Sequence, residues 1–202
     1  MTTVLAIDTA SPTFALAVAA GGQVARSMQH DGEQDHSQQL LAAIDRLLGD
    51  SRRELGGIVV VRGPGSYAGL RVGIATAEGL ALATGAPLAG VGTMEAIAAA
   101  SGGDGVAIHP AGRGEFAAQR FAGGVPEGEL FAAQPGDLQG ERLAGEGAAD
   151  LGGAEVTPEG RVRSALVLGL PRLESAAAHP ATAIYLREPN ITRPRHRPAA
   201  AG

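Results

Sequence analysis

At 202 residues with 45% hydrophobic side chains, the chain is long enough for one large domain or two small lobes, and apolar enough to build a core. It carries no cysteine, which excludes disulfides, a thiol nucleophile and zinc-thiolate sites and fits a reducing compartment. A formal net charge of -5 and 3% aromatic residues argue against a broad nucleic-acid surface and leave few platforms for stacking single-stranded bases. No apolar run reaches membrane-spanning length and no signal-peptide pattern opens the chain, so a cytoplasmic location is expected.

Residues 3–8 (TVLAID) read as a strand ending in the carboxylate of Asp8, and 14–19 (FALAVA) as a second. Gly21 and Gly22 turn the chain into a third at 23–29, completing an antiparallel meander. Asp8, followed by Thr9 and Ser11, offers donors for a hydrated cation and a phosphate. The plainer reading is a carboxylate that accepts hydrogen bonds from the turn it opens. Asp35 reads as the N-cap of a first helix, with Gln38 closing a capping box, and Leu40, Leu41, Ile44, Leu47 and Leu48 forming its apolar stripe. His36 and Ser37 fall in its first turn, and Gly49 ends it.

The stretch 58–82 dominates the pattern. Its β-branched run 58–61 suits a strand covered on both faces. Gly63, Pro64, Gly65 and Ser66 then turn the chain, with Ser66 placed to cap the following helix and its unpaired amides able to face an anion. A P-loop lysine is absent, and Pro64 and Ala68 replace the glycines of a nucleophile elbow. Gly63, Gly65 and Ala68 fit a dinucleotide fingerprint, but its acidic partner about 20 residues on is missing. Asp8, Gly63, Gly65 and Ser66 therefore stand as nucleotide-site candidates against a tight packing turn. From 70 to 83 the helix has only Arg71, Thr76 and Glu78 as polar side chains. A helix apolar nearly all round is covered on more than one side. Gly73, Ala77 and Ala81 make a small-residue stripe on which another backbone can approach, either a partner or the chain's own second half. A buried strand at 87–91 and a helix at 93–100 follow. Three antiparallel strands, helix, strand, helix, strand, helix is the order of the ribonuclease-H-like lobe shared by actin, hexokinase and sugar kinases.

LAIDTAS at the start, HSQQLL, the block VVVRGPGSYAGLRVGIATAEGLALATGAPLAGVGTMEAIA and the late IYLRE resemble the TsaB, or YeaZ, family. The resemblance implies a two-lobed actin/hexokinase-like (ASKHA, ribonuclease-H-like) α/β fold with a degenerate second lobe. It also implies a non-catalytic subunit without a cofactor, pairing with TsaD in making N6-threonylcarbamoyladenosine in tRNAs that read codons beginning with A. In that system TsaD carries the transferase site, TsaE is an ATPase, and TsaC or its relative supplies the threonylcarbamoyl-adenylate. A homodimer is expected when TsaD is absent, and tRNA is reached only through the complex. TsaD-like chains place two metal-binding histidines on the helix after the fifth strand. The matching positions here are Thr93 and Ile97, which cannot replace imidazoles.

The expected lobes are 1–103 and 104–191, with a disordered tail at 192–202. Residues 105–109 and 115–121 read as paired strands, and 140–147 as a further one. Where relatives carry an Asp-Ala-Arg-Arg-like run, this chain has Pro110, Ala111, Gly112, Arg113 and Gly114 before Glu115. Residues 161–170 read as a short helix stopped by Gly169 and Pro171. Ile184, Tyr185, Leu186 and Arg187 match the family's Tyr-Leu-Arg, with Arg187 either facing a partner's carboxylate or exposed on an edge strand. The tail arginines 193, 195 and 197, with His196, either touch tRNA phosphates or are simply solvated. His30, His109 and His179 are too scattered to suggest a metal site.

Three functions remain. The first is a scaffold that meets TsaD through Leu40, Ile44, Leu47, Gly73, Ala77 and Ala81. The second is an ATP-dependent phosphotransferase or ATPase built on Asp8 and the Gly63-to-Ser66 turn, which lacks a second-lobe carboxylate. The third is a peptidase, for which no nucleophile or metal motif is present.

Overall fold

The run at 58–61 has no polar face, and it is buried on both sides within a mixed sheet. The computed structural model describes residues 3–30 and 36–187. Strands β1 (Thr3–Asp8), β2 (Phe14–Ala20), β3 (Gln23–His30), β4 (Leu55–Val61) and β5 (Leu88–Val91) form the first sheet in the order β3-β2-β1-β4-β5. The first three pair antiparallel, whereas β4 joins β1 and β5 in parallel. Parallel pairing requires crossovers, and these are α1 (His36–Leu48) and α2 (Tyr67–Thr84).

Strand alternation divides the core. Leu5, Ile7, Leu16, Val18, Ile58 and Val60 face α1 and α2, while Ala6, Ala15, Ala17, Val59 and Val61 face α4 (Pro158–Arg172). The small residues on the second face let α4 sit close. A Cβ at Gly169 would overlap the Val59 side chain. Gly169 is thus a contact glycine inside the helix, which corrects the expected short helix ending there. Thr157 caps α4 by accepting from the Gly160 amide at 3.1 Å, and Pro158 takes the first helical position, where no amide is needed. Pro171 enters only in the last turn, where the carbonyl it leaves unpaired belongs to exposed Val167.

Strands β6 (Gly105–Gly112), β7 (Glu115–Ala122), β8 (Val125–Ala133), β9 (Leu143–Gly145) and β10 (Ala154–Glu155) form a second sheet, ordered β8-β7-β6-β9-β10. That is the first sheet's order again, with the same antiparallel and parallel pairings. The crossovers have shrunk to 3-10 turns at Pro135–Leu138 and Ala149–Leu151. The fold is therefore the two-lobed ribonuclease-H-like one with a reduced second lobe. Helix α3 (Thr93–Ala100) lays Met94, Ile97 and Ala98 on the second sheet, and α3 and α4 pack together between the sheets.

Strands β8 and β10 have no counterpart in the sequence reading. β8 is an edge strand interrupted by Pro126 and Gly128, with most side chains exposed, so no buried layer enforces alternation on it. The edge-strand alternative for 184–187 is corrected: the segment pairs into neither sheet and bends at Leu186 and Arg187, tied by the Ile184 amide donating to the Arg62 carbonyl at 2.7 Å. Arg187 pairs with Glu115 of this chain at 2.9 Å, and that hydrogen bond holds the Glu115 carboxyl below its ordinary range. The run 110–114 ends β6 and makes the β6–β7 hairpin turn, whose two residues Arg113 and Gly114 both have positive φ, as a two-residue hairpin turn requires. No helix among the described residues is long and apolar enough to cross a membrane. Asp35, the side chains of His36, Ser37 and Gln38, and the arginine-rich tail lie outside the described residues.

Candidate functional site: an interlobe ion cluster and an open helix face

Asp8 ends β1 with its side chain fully buried. One carboxylate oxygen accepts from the Ala10 amide at 2.9 Å, as the turn reading expects, and the other accepts from Nε of Arg161 at 2.6 Å. The Thr157 cap starts α4 one turn earlier, so Arg161 points from the helix into the space between the lobes. Its guanidinium is also fully buried, and it donates through Nη1 to Glu146 at 3.1 Å and to Nδ1 of His109 at 3.3 Å, and through Nη2 to Ser11 at 2.8 Å. The Ser11 hydroxyl donates to Glu146. Burial opposes the charge on Arg161, but Asp8 and Glu146 outweigh it and hold the guanidinium above its ordinary pKa.

The hydrogen-bond partners of His109 fit a neutral ring. Arg161 can only donate, so Nδ1 accepts; the Ala10 carbonyl can only accept, so Nε2 carries the proton across 3.3 Å. Burial first, and Arg161 second, lower its pKa to about 3. The cluster thus balances two carboxylates against one guanidinium, with Glu146 at the edge of solvent. It borders a cleft of about 450 Å³ lined by residues including Ala10, Gly65, Ser66, Tyr67, Pro110 and Glu146.

The Gly63-to-Ser66 turn forms the other wall. The Ser66 amide donates to the Ala10 carbonyl at 2.6 Å, and the Ser66 hydroxyl caps α2 by accepting from the Gly69 amide at 3.3 Å. A side chain at Gly65 would overlap Ala10, one at Gly69 the Thr9 carbonyl, and one at Gly73 the Thr9 hydroxyl. These glycines therefore let α2 press against the loop after β1, and the packing reading accounts for them. Gly65 and Ser66 line the cleft, but Asp8 does not reach it: its carboxylate is fully buried and engaged by an internal cation.

Of the residues expected to face a partner, Leu40, Ile44, Gly73 and Ala77 are buried inside this chain, and Leu47 and Ala81 are half-buried against its core. Their faces belong to the core because α1 and α2 must cover the first sheet. The open flank of α2 instead carries Ala68, Arg71, Ala75, Glu78, Gly79 and Leu82, with Leu82 89% exposed, and α1 adds Leu41 at 54%. Thr93 and Ile97 are both fully buried on α3, and the described residues hold no cluster of three histidine, cysteine or acidic side chains fit for a metal.

Comparison with known proteins follows the same line. A family model described as "TsaD: tRNA N6-adenosine threonylcarbamoyltransferase" matches residues 27–124. The tRNA threonylcarbamoyladenosine biosynthesis protein TsaB of Bacillus subtilis is 35% identical over 100 residues, 48% of this chain and 44% of that protein. The Escherichia coli protein of the same name is 35% identical over 98 residues, 47% of this chain and 42% of its own. These matches support assignment of the chain to the TsaB (YeaZ) family. The aligned part spans less than half the length of these TsaB relatives. YeaZ from Pseudomonas aeruginosa superposes with a TM-score of 0.69 at 22% identity, over 92% of this chain and 100% of that one, so the TsaB fold extends beyond the aligned sequence into the reduced second lobe.

Sequence reading did not find Arg161, His109 or Glu146 as site residues. They reach Asp8 and Ser11 from α4, β6 and the residue after β9, more than 90 positions away from Asp8 in each case. The one local signal, a charged residue near the start of a helix that also carries Glu159, Arg163 and Ser164, is common on solvated faces.

Proposed function

We propose that this chain is a non-catalytic scaffold subunit in tRNA N6-threonylcarbamoyladenosine synthesis, pairing with TsaD through the open flank of α2 and the neighbouring face of α1. The observation that carries the reading is the pairing of Asp8 with Arg161 at 2.6 Å, both buried. The carboxylate that an ATP-using relative would turn toward a cation and phosphate is neutralised from within, while a helix face carrying Arg71, Glu78 and, near the helix end, exposed Leu82 remains uncovered. Family membership supplies the partner: the relatives named TsaB take part in tRNA threonylcarbamoyladenosine biosynthesis, and the matching model is that of TsaD. TsaE joins the larger assembly, tRNA is contacted through the complex, and the chain forms a homodimer when alone. The phosphotransferase alternative needs a free Asp8.

The test is co-purification and sizing of this chain with TsaD from the same organism, with and without ATP. A heterodimer that displaces a homodimer supports the scaffold. Absence of a complex together with ATP hydrolysis by this chain alone would overturn it.

A further inference from the structure

We propose that Arg161 is a resident cation that bolts the two lobes together and fixes the width of the interlobe cleft. The residues it engages come from both sheets. Asp8 and Ser11 belong to the end of β1 and the loop after it, His109 to β6, and Glu146 to the residue following β9. Two carboxylates, one imidazole nitrogen and one hydroxyl are donors of the kind that surround a metal ion. Here they surround a guanidinium instead, whose planar fork serves all four at once.

The arrangement opposes hinge motion. Lobes that swing apart around a cleft need contacts that break and re-form at low cost. Opening this cleft would take His109 and Glu146 away from Arg161 and leave a buried Asp8–Arg161 pair short of its remaining hydrogen bonds, an uncompensated state that low-dielectric surroundings penalise. The cluster adds directional bonds across the gap and so sets one relative orientation of the lobes.

The absence of native cysteine makes the test direct. Spin labels are placed at the exposed positions of Ala42→Cys on α1 and Glu129→Cys on β8, and the distance between them is measured by pulsed electron resonance. The parent chain is expected to give a single narrow distance. Arg161→Ala is expected to broaden it, millimolar guanidinium or ethylguanidinium to narrow it again, and urea, the neutral shape analogue, to leave it broad. A distribution in Arg161→Ala as narrow as the parent's, or rescue by urea equal to that by guanidinium, would show that packing alone sets the lobes and would sink the proposal. Should Arg161→Ala fail to fold, Glu146→Gln at the solvent edge of the cluster is read the same way: broadening supports the bolt, and the parent distance overturns it. No partner enters the measurement, so its outcome is independent of the co-purification.

Discussion

Nε of Arg161 donates to the Asp8 carboxylate at 2.6 Å, and neither side chain has any exposed surface. A pair this buried is costly to assemble and more costly to halve. Asp8→Asn should therefore destabilise the chain by about 3–5 kcal/mol, since it leaves the guanidinium with Glu146 as its only anion. Asp8→Asn combined with Arg161→Met should cost less than the two single changes added, with coupling above about 1 kcal/mol. Denaturant unfolding of the four proteins measures this, and strict additivity would mean the pair does not act as a unit.

The neutral His109 makes stability depend on pH. Its pKa of about 3 lies below the 6.5 of a free imidazole, so between those values the unfolded chain binds a proton that the folded chain refuses. Stability is fully present above pH 6.5 and is lost as pH falls through that window, at up to ~1.4 kcal/mol per pH unit. His109→Gln keeps a donor and an acceptor without titrating. Between roughly pH 7 and 5.5 the parent should lose about 1 kcal/mol more than this variant. Equal losses in urea melts at the two pH values would mean that His109 already takes a proton in the fold.

Two glycines on one helix should respond oppositely to alanine. Gly73 faces the Thr9 hydroxyl with no room for a Cβ, so Gly73→Ala should cost about 1–3 kcal/mol. Nothing lies within 4 Å of a Cβ at Gly79, so Gly79→Ala should stabilise the chain by up to ~1 kcal/mol through helix propensity. Thermal unfolding of both variants checks the pair of signs.

Leu82 is the exposed apolar side chain on which the proposed interface turns. Leu82→Glu should leave the isolated chain's stability within about 0.5 kcal/mol of the parent and weaken association with TsaD by about 2 kcal/mol or more. Ala77→Glu, by contrast, buries an unpaired charge in the core and should unfold the chain before any partner is involved. Titration calorimetry with TsaD reads the first, and unchanged affinity in Leu82→Glu would move the interface off this helix face.

The first lobe was legible because its signals are local. A β-branched run bounded by Arg62, a two-glycine turn at Gly21 and Gly22, and a serine before an apolar helix each declare themselves within a few residues. The expected strands at 3–8, 14–19, 23–29 and 87–91 and helix at 93–100 agree with the observed elements to within a residue or so at each end. The second lobe was only partly legible. Its crossovers are too short to carry a helical period, and β8 is an uncovered edge on which nothing selects alternating apolar residues. Helix α4 misled because glycine read alone marks a stop, whereas Gly169 is required by the side chain of a strand more than 100 residues earlier in the chain.

The sequence by itself carried the family resemblance, the order of the first lobe's strands and helices, and the absence of histidines at the positions of Thr93 and Ile97. All of these rest on residue identity or on short-range periodicity. Only the tertiary structure decided which flank of α2 is open, because that depends on the side from which the sheet covers it; Ala77 and Leu82, five residues apart, have opposite fates. Only the tertiary structure, too, brought Arg161 to Asp8, since an ion pair is made by distance in space, and separation along the chain carries no record of it.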